Sequence, residues 1–312
     1  MAGYIRGGES MELVEDLELT SDVKRLVKSM AKTSFNARRL GEALEILEHV
    51  VNECELRVLS LAGAVTPSGF RRLVGEALRR RWFNVLITTG ANITHDLLVA
   101  FGGGHYRIPL EFDDRLLKGH GVCRIYDIAA RVQDFELLEK ELRLVLEDVK
   151  DGVYSTHELI KLIGLKLRDE GSLVRSAAVS GAVVIVPAFY DSILGVQVWS
   201  LTQTRNFRVV EDLDLSFLIN AQFDMKKKRA KTGILIVGGG VPKNFALQSA
   251  LVAGKPFDYA VQITIDPPHY GGLSGATLSE AVSWGKVEGG GRHCTVYCDF
   301  TIALPLLFSA LA

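Results

Sequence analysis

Six times along the chain a short, nearly unbroken apolar run ends in small residues, in most cases with helical periodicity after it, and few folds can accommodate that rhythm. The runs cover residues 57–62, 84–88, 182–187, 233–237, 259–265 and 295–298. Pro67 suits the first turn of the helix after the first run. A helix over about 93–101 follows the second, Pro242 opens one after the fourth, and a last helix begins near Thr301. Strands that are apolar on both faces are soluble only when both faces are covered, so helices must pack on either side of the sheet they form. The expected fold class is α/β: a doubly wound, Rossmann-like, mostly parallel sheet with helices on both faces. In such sheets ligands sit beyond the carboxyl ends of the strands, where the small-residue loops 63–66, 89–92 and 238–240 fall.

The segment before the first run reads as a helical N-terminal extension over residues 1–51, with Val23, Leu26, Val27, Leu40, Ala43, Leu44, Ile46 and Leu47 at helical spacing. Residues 102–169 break the rhythm with mixed polarity and two helical stretches, 134–146 and 156–167, and read as a helical insertion. One large domain over 1–312 accommodates both. A hydrophobic fraction of 48% with 23% charged residues leaves little room for disorder. The net charge of −1 gives nucleic acid or an anionic membrane no global attraction, and neither partner is expected. No apolar stretch reaches about 18 residues, and the opening Met1 to Arg6 lacks the apolar run of a secretion signal, so a cytoplasmic protein is expected. Cys54, Cys123, Cys294 and Cys298 lack the paired spacing of a zinc site, and no metal is expected. Cys294 and Cys298, four apart on one strand face, read as core thiols. The charged tracts 139–141 and 226–229 read as solvated faces.

Gly238-Gly239-Gly240 would let backbone amides approach a phosphate or a planar ring, and the helix start behind it adds positive potential. The triplet is not the G-x-G-x-x-G fingerprint, and a tight turn explains it equally well. Three small-residue loops on one rim nevertheless favour a dinucleotide over a coincidence of turns. The most informative stretch follows. A glycine-rich loop, 271–276, precedes an apparent helix that carries Glu280, Trp284 and Lys286 within two turns, Glu280 and Trp284 on one face. An acid, an aromatic wall and an amine would then meet; from spacing alone, a surface lysine after a buried tryptophan is the plainer alternative.

The run Glu280-Ala281-Val282-Ser283-Trp284-Gly285-Lys286 resembles the signature of deoxyhypusine synthases. The likeness extends from Ser34-Phe35-Asn36-Ala37 through the Gly238 triplet and Asp258-Tyr259-Ala260-Val261 to Tyr297-Cys298-Asp299 and Pro305-Leu306-Leu307. It implies a transferase that binds NAD and spermidine, oxidises the amine to an imine, expels 1,3-diaminopropane and passes the aminobutyl group through an enzyme lysine to an acceptor amine. By this resemblance Lys286 is the covalent nucleophile, a role that requires a free amine. Glu280, Trp284, Gly271 and Ser274 fall at substrate-binding positions, and Thr89, Gly90, Asp191 and Asp299 at positions around NAD. The acceptor it implies is a lysine of the hypusine-bearing translation factor, and the assembly a homotetramer with shared active sites.

Four positions depart from that pattern. His95, in Thr94-His95-Asp96, stands where a carboxylate is expected near the amine; Val196 replaces an aspartate, Asn244 a histidine and Gln262 a tyrosine. Loss of carboxylates weakens the hold on a polycation unless other acids substitute. His95 and Asn244 stay candidate substrate-binding residues, and donor and acceptor stay open. Transfer to putrescine, giving homospermidine, is one alternative. A sirtuin-like NAD-dependent deacylase is another, since residues 63–69 loosely resemble that family's cofactor loop; a non-catalytic dinucleotide-binding protein is a third.

Overall fold

The runs that bury both faces pair side by side. The computed structural model describes residues 12–312; Met1 to Arg6 and the first residues of the N-terminal extension lie outside them. The central strands are β1 (Cys54–Leu61), β2 (Val85–Thr88), β3 (Val183–Ile185), β4 (Lys231–Val237), β5 (Phe257–Thr264) and β6 (Val287–Tyr297). All neighbours are parallel, in the order β3-β2-β1-β4-β5-β6. The chain winds outward from β1 to β3, returns to the centre at β4 and winds out the other way, so the sheet is doubly wound and its direction reverses between β1 and β4.

Alternation along the strands sorts the core into two layers. Leu59, Leu86, Leu235 and Val261 enter one hydrophobic cluster, and Val58, Val85, Ile234 and Ala260 the other. The helices are α1 (Val23–Met30), α2 (Phe35–Glu53), α3 (Arg71–Arg79), α4 (Gly90–Ala100), α5 (Asp114–Gly119), α6 (Val132–Glu147) and α7 (Thr156–Lys166). They continue with α8 (Leu173–Ser180), α9 (Ile193–Thr202), α10 (Asp212–Lys228), α11 (Gly240–Ala253), α12 (Leu278–Ser283) and α13 (Phe300–Leu311). Helices α2, α3, α8 and α13 contribute to the first cluster, and α10, α11 and α12 to the second.

Several boundaries differ from the sequence reading. The N-terminal helical pattern divides into α1 and α2, and the apparent helix through Lys286 stops at Ser283. Trp284 is its C-cap and Gly285 takes φ +68°, a left-handed turn open to glycine at little cost, so Lys286 starts the extended chain into β6. Strand β6 is far longer than 295–298. Its glycines 289–291 look like a loop, but the pairing moves from Phe257 with Val287 to Tyr259 with Arg292, and the extra residues form a bulge. Residues 102–169 hold α5, α6 and α7 together with a small antiparallel sheet of Tyr106–Arg107, Val122–Ile125 and Ile128–Arg131. Cys54 and Cys294 are buried, Cys298 is half-buried just beyond β6, Cys123 is exposed, and all four are free. Among the described residues no helix is long and apolar enough to cross a membrane, and no group of three or more His, Cys, Asp or Glu could hold a metal.

One buried ionic centre ties three helices together. The carboxylate of Asp96 on α4, with no exposure, accepts from Arg71 Nε at 2.8 Å, Ser172 Oγ at 2.5 Å, and the amides of Leu173 and Val174 at 3.1 and 3.0 Å. Burial pushes this carboxyl up from its ordinary value, while Arg71 and the hydrogen bonds oppose the shift.

Candidate active site

Where the winding reverses, the carboxyl ends of β1 and β4 leave a crevice of about 380 Å³. Ala62, Gly63, the Gly238 triplet, Asp266, Ser274 and Asp299 line it. Helix α11 begins there at Gly240, with Gly239 as an N-cap that offers no side chain to its first-turn amides. A glycine-walled cradle at an uncapped helix start suits the pyrophosphate of a dinucleotide. Asp299 Oδ1 accepts from the amide and hydroxyl of Thr301, which leaves its Oδ2 for a ligand hydroxyl. The crevice is braced by a residue the sequence reading passed over. Asn92, buried at the start of α4, donates to the Gly63 carbonyl and the Thr88 hydroxyl and accepts from Thr66, locking the β1 and β2 loops together.

Thr89 caps α4 through the Asn92 amide, and Gly90 packs so closely on Ser192 that a Cβ would overlap its side chain. Asp191 is exposed in the turn after β3. These three therefore border the strand ends on the β2–β3 side of the reversal, and Asp299 lies on the β5–β6 side.

A second, smaller cavity of about 160 Å³ collects Lys243, Asn244, Leu273, Glu280, Trp284 and Lys286, with Leu247 and Ala276. Lys286 Nζ lies 3.4 Å from Asn244 Oδ1 and 5.5 Å from the centre of the Trp284 ring. Glu280 caps nothing with its carboxylate and is exposed beside them. The two cavities share one wall, the loop 271–276: Ser274 faces the crevice, whereas Leu273 and Ala276 face the lysine. Gly271 is exposed at the start of this loop, with φ +72°, and lines neither cavity.

The remaining departures lie elsewhere. His95 lines neither cavity; its Nδ1 is 2.9 Å from Nε2 of His105, and its ring packs edge-on against Phe135. Burial and the neighbouring His105 bring His95 down to about 4, and burial lowers His105 too, so one neutral ring donates to the other. Val196 is exposed on α9. Gln262 is fully buried and faces no ligand space. Sequence reading also missed Lys243 and Asp266. The Gly-Gly-Gly-Val-Pro-Lys spacing signals Lys243, which it places one turn into α11 behind the glycines; Asp266 carries no signal beyond ending a strand.

A family model described as deoxyhypusine synthase matches residues 25–311. A curated protein of Archaeoglobus fulgidus named "Probable deoxyhypusine synthase 1" is 42% identical over 289 residues, 93% of either chain. One of Methanosarcina thermophila, "Probable deoxyhypusine synthase", is 39% identical over 290 residues, 93% of this chain and 90% of that one. A crystal structure assigned to a deoxyhypusine synthase from Entamoeba histolytica shares the fold, with TM-score 0.63 at 17% identity over 92% of each chain. Identity at this level over 93% of the chain, with a family model that spans residues 25–311, leaves one conclusion: the chain belongs to the deoxyhypusine synthase family of transferases.

Proposed function

We propose that the protein transfers the aminobutyl group of spermidine to an acceptor amine, with NAD as cofactor and an imine on Lys286 as the carrier. The observation behind this reading is that Lys286 and Glu280 line one cavity, divided by a single loop from a glycine-walled crevice. The chemistry that bound NAD would supply is hydride acceptance for oxidation of the secondary amine and hydride return for reduction of the final imine. The protein's own groups do the rest. The backbone of residues 238–240 and the start of α11 would hold the pyrophosphate, Asp299 would hold a ribose hydroxyl, and Thr89, Gly90 and Asp191 would flank the opposite half.

In the smaller cavity Glu280 meets a substrate ammonium, and Leu247 and Leu273 cover its methylenes. Trp284 offers its ring face to a cation. Asn244 Oδ1 accepts one N–H of Lys286, which restricts the rotation of the amine. The lone pair of Lys286 attacks the carbon of the oxidised substrate; the C–N bond to 1,3-diaminopropane breaks, and that amine leaves with a proton. The aminobutyl group remains as an imine on Lys286 until the acceptor amine displaces it. Ser274 and Gly271 belong to the loop that walls the substrate's cavity off from the crevice, and His95 lies outside both. The exposed apolar row Ile193, Val196 and Trp199 on α9 gives subunits a surface for a homotetramer in the cytoplasm.

Incubation with NAD and spermidine followed by borohydride is expected to trap an adduct that mass spectrometry places on Lys286; an adduct on another lysine sinks the mechanism. Separate arms with the hypusine-bearing translation factor and with putrescine identify the acceptor. Two variants probe the two cavities. Glu280→Gln removes a charge-assisted hydrogen bond of about 1.5–3 kcal/mol, so KM for spermidine is expected to rise roughly ten- to hundredfold with NAD affinity kept. An unchanged KM would take Glu280 out of substrate binding. In Gly239→Ala the new methyl overlaps the Ser274 backbone, and the crevice must shift to admit it. NAD binding is expected to weaken by about tenfold or more, some 1.4 kcal/mol, in a fluorescence titration; wild-type affinity would place the cofactor elsewhere.

A further inference from the structure

Lys243 and Gln262 are charged and polar side chains with 2% and 0% exposure, and no step of the transfer uses them. Lys243 Nζ lies 3.1 Å from Gln262 Oε1, 2.9 Å from the Leu273 carbonyl and 2.5 Å from the Ala276 carbonyl. Gln262 Nε2 in turn donates to the Gly238 carbonyl at 3.1 Å and the Ser274 carbonyl at 2.9 Å. The amide orientation is forced, because an ammonium only donates and the two carbonyls only accept. Three acceptors around one nitrogen demand an ammonium, since a neutral amine has two N–H bonds and would leave one buried acceptor unpaired.

We propose that Lys243 and Gln262 form a buried strut that fixes the glycine triplet of the crevice relative to the loop 271–276, so that cofactor and Lys286 are held in one reacting geometry. This rests on the functional reading above. Lys243 is then a positioning residue: it lines the smaller cavity, but its three hydrogen bonds all go to protein acceptors, and the five bonds of the strut join the two residues to each other, to the loop 271–276 and to the Gly238 carbonyl of the crevice. Misplacement of a reacting pair by a fraction of an ångström is costly, because the rate depends on a near-attack arrangement. Burial brings Lys243 down to about 8, with Glu280 on α12 favouring the charged form and Lys286, at the start of β6, disfavouring it. The strut is therefore complete below that pH and loses one donor as pH rises through it.

The test uses the full chain, with Lys243→Met, Gln262→Leu and the double variant, read by NAD titration and by the rate of borohydride-trapped adduct with NAD and spermidine saturating. Each single variant is expected to weaken NAD about tenfold and slow adduct formation roughly a hundredfold, and the double variant to be no worse than either, since all three break one strut. Wild-type NAD affinity is expected to fall between pH 7 and pH 9, and that of Lys243→Met to stay flat. Adduct formation at the wild-type rate in Lys243→Met, or effects that multiply in the double variant, would overturn the strut. So would a lowered melting temperature with saturated turnover unchanged. If Lys243→Met does not fold, Gln262→Leu and the wild-type pH profile decide. Wild-type protein that binds no NAD would sink the functional reading itself, and the strut with it; NAD binding insensitive to both substitutions would sink the strut alone.

Discussion

Lys286→Arg is expected to lower aminobutyl transfer by about a thousandfold or more while NAD affinity stays within roughly twofold of wild type. A guanidinium stays protonated throughout the accessible pH range, so it has no lone pair with which to capture the imine carbon, yet it reaches at least as far as the amine it replaces. The two readouts separate because Lys286 lines the smaller cavity and not the crevice. Quantifying deoxyhypusine or homospermidine by mass spectrometry, beside an NAD titration, checks both at once. Transfer at the wild-type rate would remove Lys286 from the chemistry. Loss of NAD binding along with transfer would mean that the loop 271–276 had collapsed, and that the variant reports on structure.

Asp96→Ala is expected to cost about 3–5 kcal/mol of stability, because it removes the fully buried one of Arg71's two carboxylate partners in a nearly dry site. Arg71 has 9% exposure, and its other carboxylate partner, Asp169, is partly solvated at 2.7 Å. The substitution also strips the amides of Leu173 and Val174, at the start of α8, of their acceptor. Thermal unfolding should then shift down by on the order of 10 °C. A shift within two degrees or so would show that Asp169 and water replace the lost carboxylate. Asp96 lies next to His95 in sequence, yet the two face different neighbours: one knits α3, α4 and α8, the other pairs with His105.

The reach of sequence reasoning here follows from interaction range. Residues 84–88 and 233–237 were legible as strands because burial on both faces writes itself into consecutive residues. Strand β6 was legible only at its C-terminal third, because glycines read as loop when nothing local reveals the partner that a bulge pairs with. Among the site candidates, Glu280, Trp284, Asn244 and Lys286 do meet in one cavity, whereas His95 and Gly271 reach neither cavity. The helical reading of 280–286 failed at Gly285, where one left-handed residue redirects the chain and aims the lysine.

The sequence by itself determined the class of sheet, the positions of its loops and the family, since hydrophobic pattern and a long collinear likeness are properties of the chain as written. Only the tertiary structure decided that Lys243 of α11 and Gln262 of β5, nineteen positions apart, close on each other and on the loop 271–276. It likewise decided that Asn92 joins two strand ends and that a single loop is the wall of two cavities. The reason is physical: burial preference is a local property that each residue carries along the chain, whereas a hydrogen bond between distant residues exists only once packing has fixed both ends, and no local pattern encodes that distance.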